Sequence, residues 1–188
     1  MNEELHALFV ADQADRSDHP AYDTNEYQQL RERDAQRRQR VSELIAEGQL
    51  TASDDYFHAA LIFQHGETPE DIWQAHELAQ RSVELGATQS MGNNNSPWLV
   101  TASLDRWLMY QGKPQKYGTQ FVPDGKRWRL WDIDPTTTDT ERTANHVPPL
   151  QKLLQQAERY TQKLGQPSRE NAPEWMKEAL ERWEREDA

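Results

Sequence analysis

Two histidines, His58 and His65, stand seven residues apart in a segment that is otherwise mostly apolar. At about 100° per residue, position 65 lies only about 20° round from position 58, so both rings share one helix face with Leu61 and Ile62. Histidine is the side chain whose ordinary pKa lies nearest neutrality, which suits one ring to work as general base and the other as general acid. Other ionisable residues interrupt apolar stripes in the same way. His76 stands in the stripe Ile72, Ala79, Val83, and Arg106 in the stripe Leu99, Ala102, Met109. Asp12 and Asp34 sit on the inward faces of the first two helices. An unpaired buried charge costs several kcal/mol, so these groups are expected to meet one another or a ligand. Each also has a plain packing role. A lone histidine is usually a hydrogen-bonded core residue, Arg106 can pair with its neighbour Asp105, and Asp34 can pair with arginines of its own helix. The run Arg37, Arg38, Gln39, Arg40 is expected to be a solvated face, since nearby acids cancel its field.

Three histidines also invite a metal, but the spacing argues against the simplest site. Positions i and i+7 are about 10.5 Å apart along a helix axis, whereas chelating pairs on one helix sit three or four residues apart. No HExxH occurs, and no spacing selects Asp54, Asp55, Asp71 or Glu77 as oxygen ligands. No metal and no cofactor is therefore expected. Cysteine is absent, which excludes disulfides, thiolate metal sites and a thiol nucleophile. There is no glycine-rich phosphate loop, no GxSxG, and no strand–helix alternation to carry a dinucleotide.

The elements that must position these residues can be read from periodicity and punctuation. A helix is expected over 3–15, then a long charged one over 24–47 with the stripe Tyr27, Leu30, Asp34, Arg37, Val41, Leu44 and a stop at Gly48. Helices over 53–64 and 69–85 follow; the second has Thr68 as N-cap, Pro69 at its first position and Gly86 after its end. Another runs over 97–110. Segments 117–122 and 127–133 flank Pro123-Asp124-Gly125-Lys126, a hairpin signal, and the ribbon must lie on helices through Trp128 or Trp131. Turns or loops are expected at 17–20, 93–95 and 134–145, the last with at most one helical turn. A helix from 148 to 163 precedes a last amphipathic one carrying Trp175, Ala179 and Trp183 on one side.

The pair over 53–86 is similar to a tetratricopeptide or Sel1 unit, although no second copy follows at a fixed period. The fold class is thus mainly α, with antiparallel helix pairs and one β-hairpin near 117–133. Residues 1–165 are expected to form one domain, with 166–188 a peripheral amphipathic helix. The composition agrees: 188 residues suit a single domain, and an apolar share of 35% allows only a thin core. With 21 basic against 32 acidic residues the net charge is −11, which disfavours nucleic acid and anionic membranes. No apolar run is long enough to span a bilayer and the first residues lack a signal pattern, so a cytoplasmic protein is expected.

The blocks Asp12-Gln13, Tyr56-Phe57-His58-Ala59-Ala60, Ile62-Phe63-Gln64-His65-Gly66, Ala75-His76-Glu77-Leu78-Ala79, Leu104-Asp105-Arg106 and Gly112-Lys113-Pro114-Gln115-Lys116-Tyr117-Gly118-Thr119-Gln120-Phe121 carry a resemblance. They resemble a bacterial family of unknown function marked by the series "QH … AH.LA … DR … GKPQ.YGTQ". The resemblance covers about residues 5–150 and implies a shared pocket without naming a reaction. It also implies that Gly118 turns the chain so that Tyr117, Thr119 and Gln120 stand together at the helical layer. On that reading the chain binds a small anionic or polar molecule. Arg106 grips a carboxylate or phosphate. His58 and His65 do acid–base work, Gln64, His76, Tyr117, Thr119 and Gln120 line the pocket, and Asp12 or Asp105 holds a histidine tautomer. The competing expectation is an acidic interaction module, an adaptor or an immunity-type inhibitor of a basic partner, whose polar interior is structural. A homodimer through 170–187 fits either reading.

Overall fold

A computed structural model of the chain describes residues 1–17, 20, 24–86, 90–91 and 94–186. The expected turn at 17–20 and the loop at 93–95 fall partly outside them. The fold is mainly α with a hairpin. Its helices are α1 Glu3–Ser17, α2 Asn25–Ala46, α3 Ser53–Gln64, α4 Pro69–Glu84, α5 Ser96–Tyr110, α6 Asp139–Ala144, α7 Leu150–Lys163 and α8 Glu174–Glu186. Two-residue strands β1 Ser90–Met91 and β2 Asn94–Asn95 pair before α5, and β3 Phe121–Pro123 pairs antiparallel with β4 Trp128–Leu130. No described helix is long and apolar enough to cross a membrane. The chain divides into two compact units, Met1–Ser103 and Leu104–Ala188, and the division falls inside α5, not at 165/166.

The first unit is built round α3, in which every residue from Phe57 to Gln64 is buried. A helix apolar on all sides must be an interior one, and α1, α2, α4 and the start of α5 supply the cover. Its neighbours are punctuated as their sequences require. The Thr24 and Thr68 hydroxyls accept from the backbone N–H groups of Tyr27 and Asp71, both at 3.1 Å. In α4 the buried stripe is rotated from the expected one: Val83 is exposed, while the buried Ser82 donates to the Ser53 carbonyl and meets the Ser96 hydroxyl. Arg37 and Arg38 are also buried, contrary to a solvated face, because Asp15, Asp34 and Asp71 stand opposite them.

In the second unit the hairpin lies between two helices. The face carrying Phe121, Trp128 and Leu130 meets α7 through Tyr160 and Leu153. The opposite face carries Val122, Arg129 and Trp131 and meets α8 through Trp183. Trp131 is the anchor: it packs edge-on against Trp175 and Trp183, and its indole donates to the Lys113 carbonyl at 2.7 Å. The strands are shorter than their sequences suggest, because backbone groups over 116–120 bond to side chains in place of a ladder. The last helix is no peripheral tail. Met176, Ala179, Leu180 and Trp183 are buried among Met109, Val122 and Trp131, so the apolar face expected to join two copies is covered within its own unit.

Candidate functional site

Of the residues singled out by type and spacing, Asp12, His58, Gln64, His65 and His76 belong to the first unit. Asp105, Arg106, Tyr117, Thr119 and Gln120 belong to the second.

In the first unit α1 and α3 bring Asp12 and His65 together across 53 positions of sequence, with Nδ1 of His65 3.1 Å from Oδ1 of Asp12. Asp12 is 1% exposed, whereas the His65 side chain, just past the end of α3, is 21% exposed. Burial pushes the Asp12 carboxyl up, but the His65 hydrogen bond and the neighbouring Arg16 charge outweigh it and hold it below its usual value. An ionised carboxylate can only accept, so Nδ1 carries the proton of this contact, and Nε2 is the nitrogen at which a proton is exchanged. Arg31 and Arg38 of α2 both donate to the His65 carbonyl, at 3.1 and 3.3 Å, fixing the backbone from which the ring projects. Round Asp12 the charges form a continuous network. Asp34 takes Arg16 at 2.8 Å and Arg37 at 3.0 Å, while Asp15 takes Arg33 and Arg37. Arg33 and Arg37 together pull Asp15 down to about 2.

His58 and His76 stand in different surroundings. His58 is 5% exposed, stacks on Phe9 with ring centres 4.2 Å apart, and lies beside His6. Burial, with the charge of His6, pushes its pKa down to about 4, so at neutral pH the ring is uncharged. His76 directs Nδ1 to the Val100 carbonyl at 2.9 Å and the Ser103 hydroxyl at 3.2 Å, which ties α4 to α5. Gln64 donates to the Ala102 carbonyl at 3.4 Å.

In the second unit Asp105 is fully buried and accepts five hydrogen bonds. The N–H groups of Lys116 and Tyr117 reach Oδ1, and those of Gly118 and Thr119, with the Thr119 hydroxyl, reach Oδ2, all at 2.8–3.0 Å. Four consecutive amides on one carboxylate form an anion-binding nest whose anion is part of the chain. From there the polar groups run in series: Gln120 donates to the Thr119 hydroxyl at 2.9 Å, and Arg106 donates to the Gln120 side-chain oxygen at 2.9 Å. Tyr117 packs its ring against the Leu130, Val147 and Leu153 cluster. The loop depends on Gly118, whose φ is +100° and where an added Cβ would stand 2.9 Å from Leu153 Cδ1. Gly118→Ala should therefore lower unfolding stability by roughly 1–3 kcal/mol, read as a shift of the urea midpoint at constant slope.

Two further residues hold this loop, and neither has a signal in hydrophobic period. Gln115, wholly buried, accepts from the Gln120 N–H at 2.8 Å and donates to the Gln120 and Trp131 carbonyls at 3.1 and 2.9 Å. Arg142, from the short helix α6, donates to the carbonyls of Tyr117 and Thr137. An arginine in a six-residue polar helix looks like a solvated charge until the loop it pins is known. Family models, curated proteins and solved structures offer no match to this chain.

Proposed function

We propose that the chain binds a small polar or anionic molecule beside His65 and that the Asp12–His65 pair does acid–base work on it. The observation that carries this reading is the 3.1 Å contact between a carboxylate 1% exposed and an imidazole that reaches solvent. A buried carboxylate on Nδ1 sets the tautomer, raises the basicity of Nε2 and stabilises the imidazolium that forms when a proton is taken. Arg31 and Arg38 hold the His65 carbonyl and are themselves paired with Glu67 and Asp71, which fixes the backbone under the ring. His58 has no part in this, because its ring is stacked on Phe9 and held neutral.

The competing reading, an acidic interaction module with a structural polar interior, has its own support in the second unit. There Asp105, Gln115 and Thr119 are used in holding a loop. Native mass spectrometry of the purified protein, set against its denatured intact mass, separates the two. An extra mass that leaves on denaturation, and is absent from a His65→Ala variant of near-normal melting temperature, is the expected result. Bare protein masses for both, with His65→Ala strongly destabilised, would favour the interaction module. In the same protein the imidazole ¹⁵N shifts should report His65 as the Nδ1–H tautomer, and Asp12→Asn should abolish that preference.

A further inference from the structure

The first unit holds a second pair of imidazoles that the dyad does not use. His6 on α1 and His58 on α3 lie with ring centres 5.1 Å apart and planes inclined at 48°. Nδ1 of each is buried and has no hydrogen-bond partner among the described residues. Leaving one buried nitrogen unpaired costs about 1–3 kcal/mol, and two on neighbouring rings call for a partner that the described side chains do not supply. From these two rings we infer a binding site for a divalent transition-metal ion, with zinc as the best fit.

The spacing supports a tetrahedral ion. With a metal–nitrogen bond of about 2.0–2.1 Å, about 1.15 Å more to the ring centre, and an angle of about 109°, two imidazoles on one ion have centres about 5.2 Å apart. Linear two-coordination would require about 6.4 Å on the same bond lengths, which removes a copper(I) bridge. Phe9 stacks on one face of His58 and leaves the nitrogens on the ring edge available.

Each helix also carries a carboxylate about one turn before its imidazole. Glu3 stands three residues before His6 on α1, and Asp54 four before His58 on α3, spacings that put acid and imidazole on one face. Among the described residues no group of three or more His, Cys, Asp or Glu already stands at ligand distance. The ion would therefore hold two ring nitrogens, with water or a rotated Glu3 or Asp54 side chain in the remaining positions. Sequence spacing hides this site, because its two nitrogen ligands lie 52 positions apart and neither is part of a metal motif.

The test is titration of the full chain with Co²⁺ and, by competition with a chromophoric chelator, with Zn²⁺. One equivalent should bind with the visible d–d bands of tetrahedral cobalt, His6→Gln and His58→Gln should each weaken it by at least about tenfold, and His65→Ala should leave it unchanged. Far-UV circular dichroism checks the fold of each variant. If His58→Gln fails to fold, His6→Gln decides alone, because His6 is only half-buried on α1. No saturable site, or equal binding by His6→Gln and the unmodified chain, would overturn the inference.

Discussion

Asp105→Ala is expected to remove about 4 kcal/mol of stability, a large share of the roughly 5–15 kcal/mol margin of an ordinary protein. The carboxylate accepts from four backbone amides and one hydroxyl, all within 3.0 Å. Burial pushes its pKa up, while five donors and no acceptor around its oxygens favour the anion. Alanine would strand four amides inside the protein, and each would lose its partner without gaining water. The loop over 116–119 would then no longer lead into β3, and the hairpin would lose the start of its register. Urea unfolding followed by tryptophan fluorescence reads this directly, since Trp131, Trp175 and Trp183 sit in the affected core. A loss under about 1 kcal/mol would show that water replaces the carboxylate and that the nest is not a structural requirement.

Acidification from pH 6.5 to 4 is expected to cost about 3 kcal/mol through His58 alone. Its folded pKa of about 4 lies below the ordinary histidine value of 6.5. The unfolded chain therefore binds a proton in that window while the folded chain does not. Stability from this group is complete above pH 6.5, falls by up to about 1.4 kcal/mol per unit as pH drops, and levels off below about 4. His76, also pushed down by burial, adds to the same slope. Carboxylates act in a lower range: Asp15, at about 2, and Asp12, also lowered, begin to cost stability only below the ordinary aspartate value. Melting curves across this range in the presence of a chelator should show the slope, and His58→Leu should remove most of it. Equal slopes in the two proteins would assign the acid sensitivity elsewhere.

Local elements were legible because their causes are local. Thr68 caps the helix it precedes, Pro69 opens α4, and Trp131, one of the two tryptophans the ribbon offered as an anchor, pins the hairpin. The inward direction of Asp12, Asp34, His58 and His76 also follows from the 3.6-residue period, and all four are buried. The period also places Arg37 inward, but the charge run misdirected Arg37 and Arg38. An arginine beside acids looks solvated on its own helix, and only the approach of α1 and α4 turns it into a buried partner of Asp15 and Asp71. The extra length expected of the strands failed for a similar reason, because Asp105 and Gln115 take backbone groups a ladder would have used. The last helix looked detachable because an amphipathic stripe does not say what covers it.

Period, caps and turn residues determine which face of which element a residue occupies, because they act over one or two helical turns. What stands opposite that face is a matter of long-range packing. The contact of Asp12 with His65, the approach of His6 to His58, and the capture of four amides by Asp105 each join separate segments. They are set by how burial of Phe57 arranges the helices of the first unit, and burial of Trp131 and Trp183 the helix and hairpin of the second, which no spacing along the chain encodes.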